Sequence, residues 1–257
     1  MSKKKSPITD KPLRQAGQSV REKLEEIVYN KILGYYFIAG FLCVLAVVEW
    51  VKSWTAAPPA PWLYTIIAVG VSAYAFFRGS RELKKAKNYK LGRDGEKVVG
   101  EYLDRLRANG YRVYHDIPGD GWNIDHVVIS TRGVFTIETK TRSKPMTGEP
   151  LVTFNGKSVS VDGGPEDERP IRQSLAQSKQ LRTMLKEWTG NDFAVRAVVV
   201  YPGWYVRHDS GSKGADVWVL NPKALHKWIE HEDEVVPVDR VKQAATALSK
   251  YVRGVDT

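Results

Sequence analysis

The chain has 257 residues and a formal net charge of +10, room for one ordinary domain plus a smaller element, and its charge favours a polyanionic partner, nucleic acid or anionic lipid. Its single cysteine, Cys43, excludes an internal disulfide and a cysteine-based zinc site, and it fits a reducing compartment. A secretory signal is not expected, because the first apolar run begins late and is followed by no small-residue cleavage pattern.

The opening segment, residues 1–31, carries Lys3, Lys4, Lys5, Lys11, Arg14, Arg21, Lys23 and Lys31. The part up to about Ser19 reads as flexible, and residues 20–30 read as a short amphipathic helix. Residues 33–51 are apolar except for Glu49 and are long enough to cross a hydrocarbon core of about 30 Å as a helix. A second run, 62–77, is slightly shorter, and Trp50, Trp54, Trp62 and Tyr64 fall where interfacial aromatics gather. The connection, 52–61, is short and proline-rich, so residues 32–78 are expected to form a two-helix transmembrane hairpin, with the lipid bilayer as a partner. A buried helical hairpin of a soluble protein is the other reading. Basic residues crowd both outer flanks, the second with Arg78, Arg81, Lys84, Lys85, Lys87, Lys90 and Arg93, while the connection holds only Lys52. By the positive-inside rule the chain is a multi-pass protein of the cell membrane, with both termini and the soluble part cytoplasmic.

Residues 79–90 read as a basic linker, 91–230 as the soluble domain and 231–257 as a C-terminal helical tail. Val98, Val99, Tyr102, Leu103 and Leu106 recur at helical spacing, and Asn109-Gly110 ends that helix. Glu96 lies in its first turn, either favouring the positive end of the helix dipole or facing a site as an acidic group; Glu101 is displaced around the helix. Residues 111–115 predict a strand. Residues 124–129 and 134–137 predict a β-hairpin across Ser130-Thr131-Arg132-Gly133. His115 and His126 have no histidine partner at ligand spacing, so packing or surface roles are expected.

Beyond a polar loop, 142–150, a second hairpin is predicted from 151–154 and 159–161, then a helix over 170–188 with Gln173, Gln177 and Lys179 near its start or middle. Residues 194–201 form a continuous apolar run typical of a strand buried on both faces. Residues 217–220 predict a short strand, 222–229 a helix capped by Asn221, and 238–252 a last helix. Strands interleaved with helices give an α/β domain with a mixed sheet. The sequence has no internal repeat, no phosphate-binding glycine loop and no serine or cysteine nucleophile constellation.

The central hairpin carries the chemistry. Alternation puts Glu138 and Lys140 on one face of their strand, and Asp125 lies on the partner strand. If the register sets Asp125 opposite Glu138, two carboxylates and an ammonium converge, an arrangement that is costly unless a cation or substrate compensates it. Two carboxylates suit a hard divalent ion such as Mg²⁺, and a neighbouring lysine can orient or deprotonate a water attacking a phosphodiester. A structural ion pair at a sheet edge is the competing reading. A glutamine on a helix is usually only solvated; Gln173 is instead expected to contact the scissile backbone or a metal-bound water.

Gly95-Glu96, Asn123-Ile124-Asp125-His126-Val127-Val128, Gly133-Val134-Phe135 running into Ile137-Glu138-Thr139-Lys140, and the later helix with Pro170 and Gln173 together resemble the nuclease-related domain family, NERD, over about residues 91–229. That family is placed in the PD-(D/E)XK nuclease superfamily. The resemblance implies a restriction-endonuclease-like mixed sheet flanked by helices, a Mg²⁺ or Mn²⁺ cofactor, and nucleic acid as partner, DNA ahead of RNA. It implies Asp125 and Glu138 as metal ligands, Lys140 as the water-orienting or charge-stabilising group, Glu96 as an auxiliary acid and Gln173 as a supporting contact. The superfamily's proline before the aspartate is Ile124 here, and the asparagine-proline expected before the later helix is Arg169-Pro170. The expected function is therefore membrane-anchored, metal-dependent DNA hydrolysis. A non-catalytic, membrane-tethered module that binds nucleic acid or protein through the same fold is the alternative, since fold alone does not fix function.

Overall fold

The computed structural model describes residues 13–54, 61–144 and 148–254. Lys3, Lys4, Lys5, Lys11 and the proline-rich centre of the connection, 55–60, lie outside the described residues. Two compact units are present, one of Val20–Leu91 and one combining Met1–Ser19 with Gly92–Thr257.

The first unit is helical. Helix α1 (Gln18–Glu26) continues through a wider π-type stretch, Ile27–Ile32, into α2 (Leu33–Lys52), and α3 (Pro61–Asp104) begins beyond the connection. Two helical stretches, Gln18–Lys52 and Trp62–Asn109, are long and apolar enough to cross a membrane. Only 17% of each apolar window is buried, unlike a core helix, and Phe37, Phe41, Ile66 and Phe76 are turned outward. Trp50 and Trp62 stack edge to face at 5.4 Å, and the Trp50 indole donates to Thr65 Oγ1. The stretch read as a linker, 79–90, is an uninterrupted part of α3: it contains no proline, and its one glycine, Gly79, is tolerated within a helix.

The second unit is an α/β domain. Its main sheet has β1 (Arg112–Pro118), β2 (Asn123–Ser130), β3 (Gly133–Thr139), β7 (Val195–Val200) and β9 (Val217–Leu220), in the order β1-β2-β3-β7-β9. The first three run antiparallel, and β3, β7 and β9 run parallel. Helices α4 (Arg169–Thr189) and α6 (Val238–Gly254) cover one face, packing Leu181, Leu185, Ala244 and Leu248 against Val127, Ile129 and Val134. The end of α3 and α5 (Pro222–Glu230) cover the other, with Val99, Leu103, Leu225 and Ile229 against Val128, Phe135, Ile137 and Val198. Both faces are covered, so β2 and β3 are buried almost throughout. The Asn221 side chain accepts the Lys223 amide and caps α5, while Gly190, in the left-handed region at φ 71°, ends α4.

Three differences from the sequence expectations have physical causes. A second sheet, β6-β5-β4-β8, gathers β4 (Leu151–Phe154), β5 (Val159–Val161), β6 (Glu166–Asp167) and β8 (Tyr205–His208); β6 and β8 are too short and too polar to announce themselves. The segment set apart as a tail packs into the domain: the helix expected at 238–252 is present as α6, and its apolar stripe completes a core, with the Tyr114 hydroxyl donating to Ala245 O at 2.7 Å. Residues 13–19, read as flexible, are docked on the domain. Arg14 and Asp116 form a buried ion pair at 2.8 Å, and Asp116 also accepts from the Ser19 amide and hydroxyl, both at 2.9 Å.

Candidate active site

The site grows from the β2–β3 hairpin, where His126 lies opposite Ile137 and Val127 opposite Thr136. Continuing that register by one residue sets Asp125 across from Glu138. On its other side Glu138 lies beside Val199 of β7, and the ladder runs one residue past β3 through the Lys140 amide, which donates to Val200 O at 2.9 Å. The strand that carries Glu138 and Lys140 is thus fixed on both edges up to the charged residues.

Asp125 and Glu138 are both nearly inaccessible, at 6% and 4% exposure. Asp125 Oδ2 accepts the Thr139 amide at 2.8 Å, whereas its Oδ1 has only a long contact, 3.5 Å, to the Asn123 amide group. Burial pushes the Asp125 carboxyl well above the usual carboxylate range, and the charges of Glu138 and then Glu96 push it further. The Thr139 amide and Lys140 oppose this and do not cancel it.

Glu138 is handled differently. Its Oε1 accepts from Lys140 Nζ at 2.6 Å and from Gln173 Nε2 at 2.8 Å, and its Oε2 accepts from Gln177 Nε2 at 2.6 Å. Gln173 Oε1 in turn accepts from Lys140 Nζ at 2.9 Å. Gln177 also donates to Asn123 O at 2.9 Å, tying α4 to the start of β2. Gln173 and Gln177 are four residues apart and so project from one face of α4.

Glu96 is buried at 7% and enters the site through α3. The preceding glycine makes that possible: a Cβ on Gly95 would meet Thr141 Oγ1 at 1.8 Å, so only glycine lets the helix approach the chain leaving β3 this closely.

All five residues singled out in the sequence lie in this cluster. Glu138, Lys140 and Gln173 bond directly, Asp125 holds the backbone between Glu138 and Lys140, and Glu96 acts on Asp125 through its charge. Gln173 contacts Glu138 and Lys140. Gln177 was given no role; its spacing of four from Gln173 was the available signal. His115 and His126 pack against each other, Nδ1 to Nδ1 at 2.9 Å, and His115 Nε2 meets Asp104 at 3.2 Å. They lie on the side of β1 and β2 that faces α3, away from Glu138.

Among the described residues no three His, Cys, Asp or Glu side chains form a ready metal cluster. The donors that fit a cation are two carboxylates, with Asp125 Oδ1 the least engaged atom. That set suits Mg²⁺ or Mn²⁺, ions that take oxygen ligands, and Mg²⁺ commonly uses one or two carboxylates with water and phosphate completing its shell.

Comparison with known proteins bears on the same stretch. Residues 91–202 match the family described as NERD, nuclease-related domain. An uncharacterized protein of Bacillus anthracis is 43% identical over 54 residues, 19% of this chain and 26% of that protein. The match thus spans about a quarter of the length of that curated relative. No solved structure matches. The residues of the cluster from Glu96 to Gln177 all lie within the matched stretch.

Proposed function

We propose, taking residues 91–202 as a nuclease-related domain, that this protein is a membrane-anchored phosphodiesterase that cleaves DNA with Mg²⁺ or Mn²⁺. One observation carries the reading: Asp125 is buried beside two further carboxylates, with no cation of the protein's own on its Oδ1. A divalent ion held by Asp125 and Glu138 would polarise the phosphoryl group and offset its developing charge. The chain's own groups divide the remaining work. Gln173 and Gln177 fix the Glu138 carboxylate, the Thr139 amide fixes Asp125, and Lys140 is positioned to orient a water or to receive charge building on phosphate. Glu96 adds negative charge that favours cation binding.

Anchoring follows from the two long apolar helices, and their hairpin topology is supported from the soluble side. Residues 13–19 precede the first apolar stretch and Gly92–Thr257 follow the second, yet they belong to one compact unit joined by the buried Arg14–Asp116 pair. This supports placing both ends of the hairpin on one side, and the flanking basic residues favour the cytoplasm.

The test uses the full chain in detergent. It should cut plasmid DNA with Mg²⁺ or Mn²⁺, stop with a chelator, and lose activity in Asp125→Ala and Lys140→Ala. Cleavage by either variant at the wild-type rate would remove the mechanism. The saturation of Glu138 by Lys140, Gln173 and Gln177 favours one second reading, a non-catalytic nucleic-acid-binding module. Salt-sensitive DNA binding without metal-dependent cleavage would select it.

A further inference from the structure

The carboxyl ends of the parallel strands β3, β7 and β9 open on one edge of the main sheet, and the site sits at the end of β3. The chain leaving each strand contributes to a continuous surface there. From β3 it carries Lys140, Arg142 and Lys144; from β7, Gly203, Trp204 and Tyr205; from β9, Asn221 and then Lys223 and Lys227 on α5. These segments are bound to one another. The Trp204 indole donates to Arg142 O at 3.3 Å, Asn221 donates to Trp204 O at 2.7 Å, and the Tyr205 amide donates to Pro150 O at 2.8 Å. Lys144 lies across Gly203, its Nζ 3.0 Å from where a Cβ would stand. Beyond it lies an open groove of about 730 Å³ lined by Tyr205, Lys223 and Lys227, with Glu149 as its only carboxylate.

Two features give this groove a direction. Arg169, Arg182 and Arg207 each have a carboxylate close by, whereas Lys144, Lys223 and Lys227 form no ion pair among the described residues. Beside them Tyr205 is 65% exposed and belongs to no core cluster, which leaves a large aromatic side chain on the surface. Lysines alone would suit any polyanion. Lysines around an exposed aromatic ring suit unpaired nucleotides, whose phosphates meet the ammonium groups while a base stacks on the ring. A duplex, its bases already stacked, can use the lysines but not the ring.

The geometry points to a single-stranded segment of nucleic acid lying from Lys140 past Arg142 and Lys144 into this groove, with one base on Tyr205. This deepens the nuclease reading and rests on it for the location of the scissile end, so the test measures binding without cleavage. The full chain in detergent, with chelator present, is titrated with a fluorescent 15-mer oligothymidylate and with a blunt 15-base-pair duplex. The single strand should bind more tightly. Tyr205→Ala should weaken it roughly 5- to 100-fold, Tyr205→Trp should retain it, and neither should change duplex affinity. Replacing both Lys223 and Lys227 by alanine should flatten the salt dependence by about 1.4 in slope. A Tyr205→Ala protein that melts like wild type and binds the 15-mer equally well overturns the proposal, as does a duplex bound as tightly as the strand. Tyr205-dependent binding in a protein that never cleaves would refute the nuclease reading and leave this surface standing.

Discussion

Arg14→Ala is expected to be among the most destabilising single changes in the protein, although Arg14 stands in a stretch whose composition suggests a loose basic tail. Its guanidinium is 2.8 Å from Asp116, and the two side chains are 5% and 0% exposed. Asp116 sits on β1 in the left-handed region at φ 51°, and residues 13–19 fold over it. Removing the arginine leaves a buried carboxylate that, among the described residues, keeps only the Ser19 amide and hydroxyl on its Oδ2. Breaking a buried pair in this one-sided way costs about 3–5 kcal/mol, against a total stability of about 5–15 kcal/mol for an ordinary domain. For a unit of this size that corresponds to a fall in melting temperature of roughly 6 to 20 °C. Tryptophan fluorescence of the full chain in detergent would follow it, since Trp204 and Trp218 are buried in this unit. The double variant Arg14→Met/Asp116→Asn should recover most of the loss, because asparagine tolerates the left-handed backbone and carries no charge. An Arg14→Ala protein melting within about 1 °C of wild type would refute the reasoning. The same loss is expected for a chain that begins at residue 91, so a soluble fragment cut there should be markedly less stable than the whole.

Asp125→Asn should abolish cleavage yet raise the melting temperature of the metal-free protein at neutral pH. The folded carboxyl is raised, so its contribution is full below about pH 4 and is lost as pH rises through the raised value; a variant no more stable than wild type contradicts this. Gln177→Leu should weaken Mg²⁺ activation about 10-fold or more, because Glu138 Oε2 loses the group that aims it; an unchanged half-activating concentration would dismiss Gln177 as a positioning residue. Burial lowers both His126, where His115 adds to the effect, and His115, where Asp104 opposes it. The unfolded chain then takes up protons first, so this contribution is full above about pH 6.5 and falls away below it. Denaturation midpoints of Asp125→Asn protein across that range should decline with pH, and a flat profile is the contrary result. In a Cys43→Ser background, an impermeant maleimide should label Ser53→Cys in intact cells and Ser143→Cys only after lysis; the reverse pattern would invert the topology.

How much of this was legible in the sequence depends on whether the signal was local. The β2–β3 hairpin announces itself through two β-branched runs flanking Ser130 to Gly133, and the two-residue side-chain period then forces Glu138 and Lys140 together. Glu96 was legible through Gly95, although the reason for that glycine, Thr141 occupying the place a Cβ would take, exists only in three dimensions. The docking of residues 13–19 was not legible, because Arg14 looks like its neighbouring basic residues until Asp116 is placed 102 positions away. Nor was the second sheet, since β8 pairs in parallel with β4 from across the whole of α4, and non-local pairing of a four-residue strand with one aliphatic side chain leaves no periodic trace.

The strap and the site also share a rung of the sheet, and the contrast there bears on chemistry. His115 pairs with His126 and Ile117 with Ile124, so the rung between them falls on Asp116 and Asp125. Both aspartates are buried, at 0% and 6% exposure, and a buried carboxylate is costly unless it is paired. The fold compensates Asp116 with Arg14, brought from the far end of the hairpin. It gives Asp125 an amide hydrogen bond and then sets two more carboxylates near it. Lys140, whose charge acts on Asp125, bonds to Glu138. Under the proposed function, a cation from solution would supply for Asp125 what Arg14 supplies for Asp116.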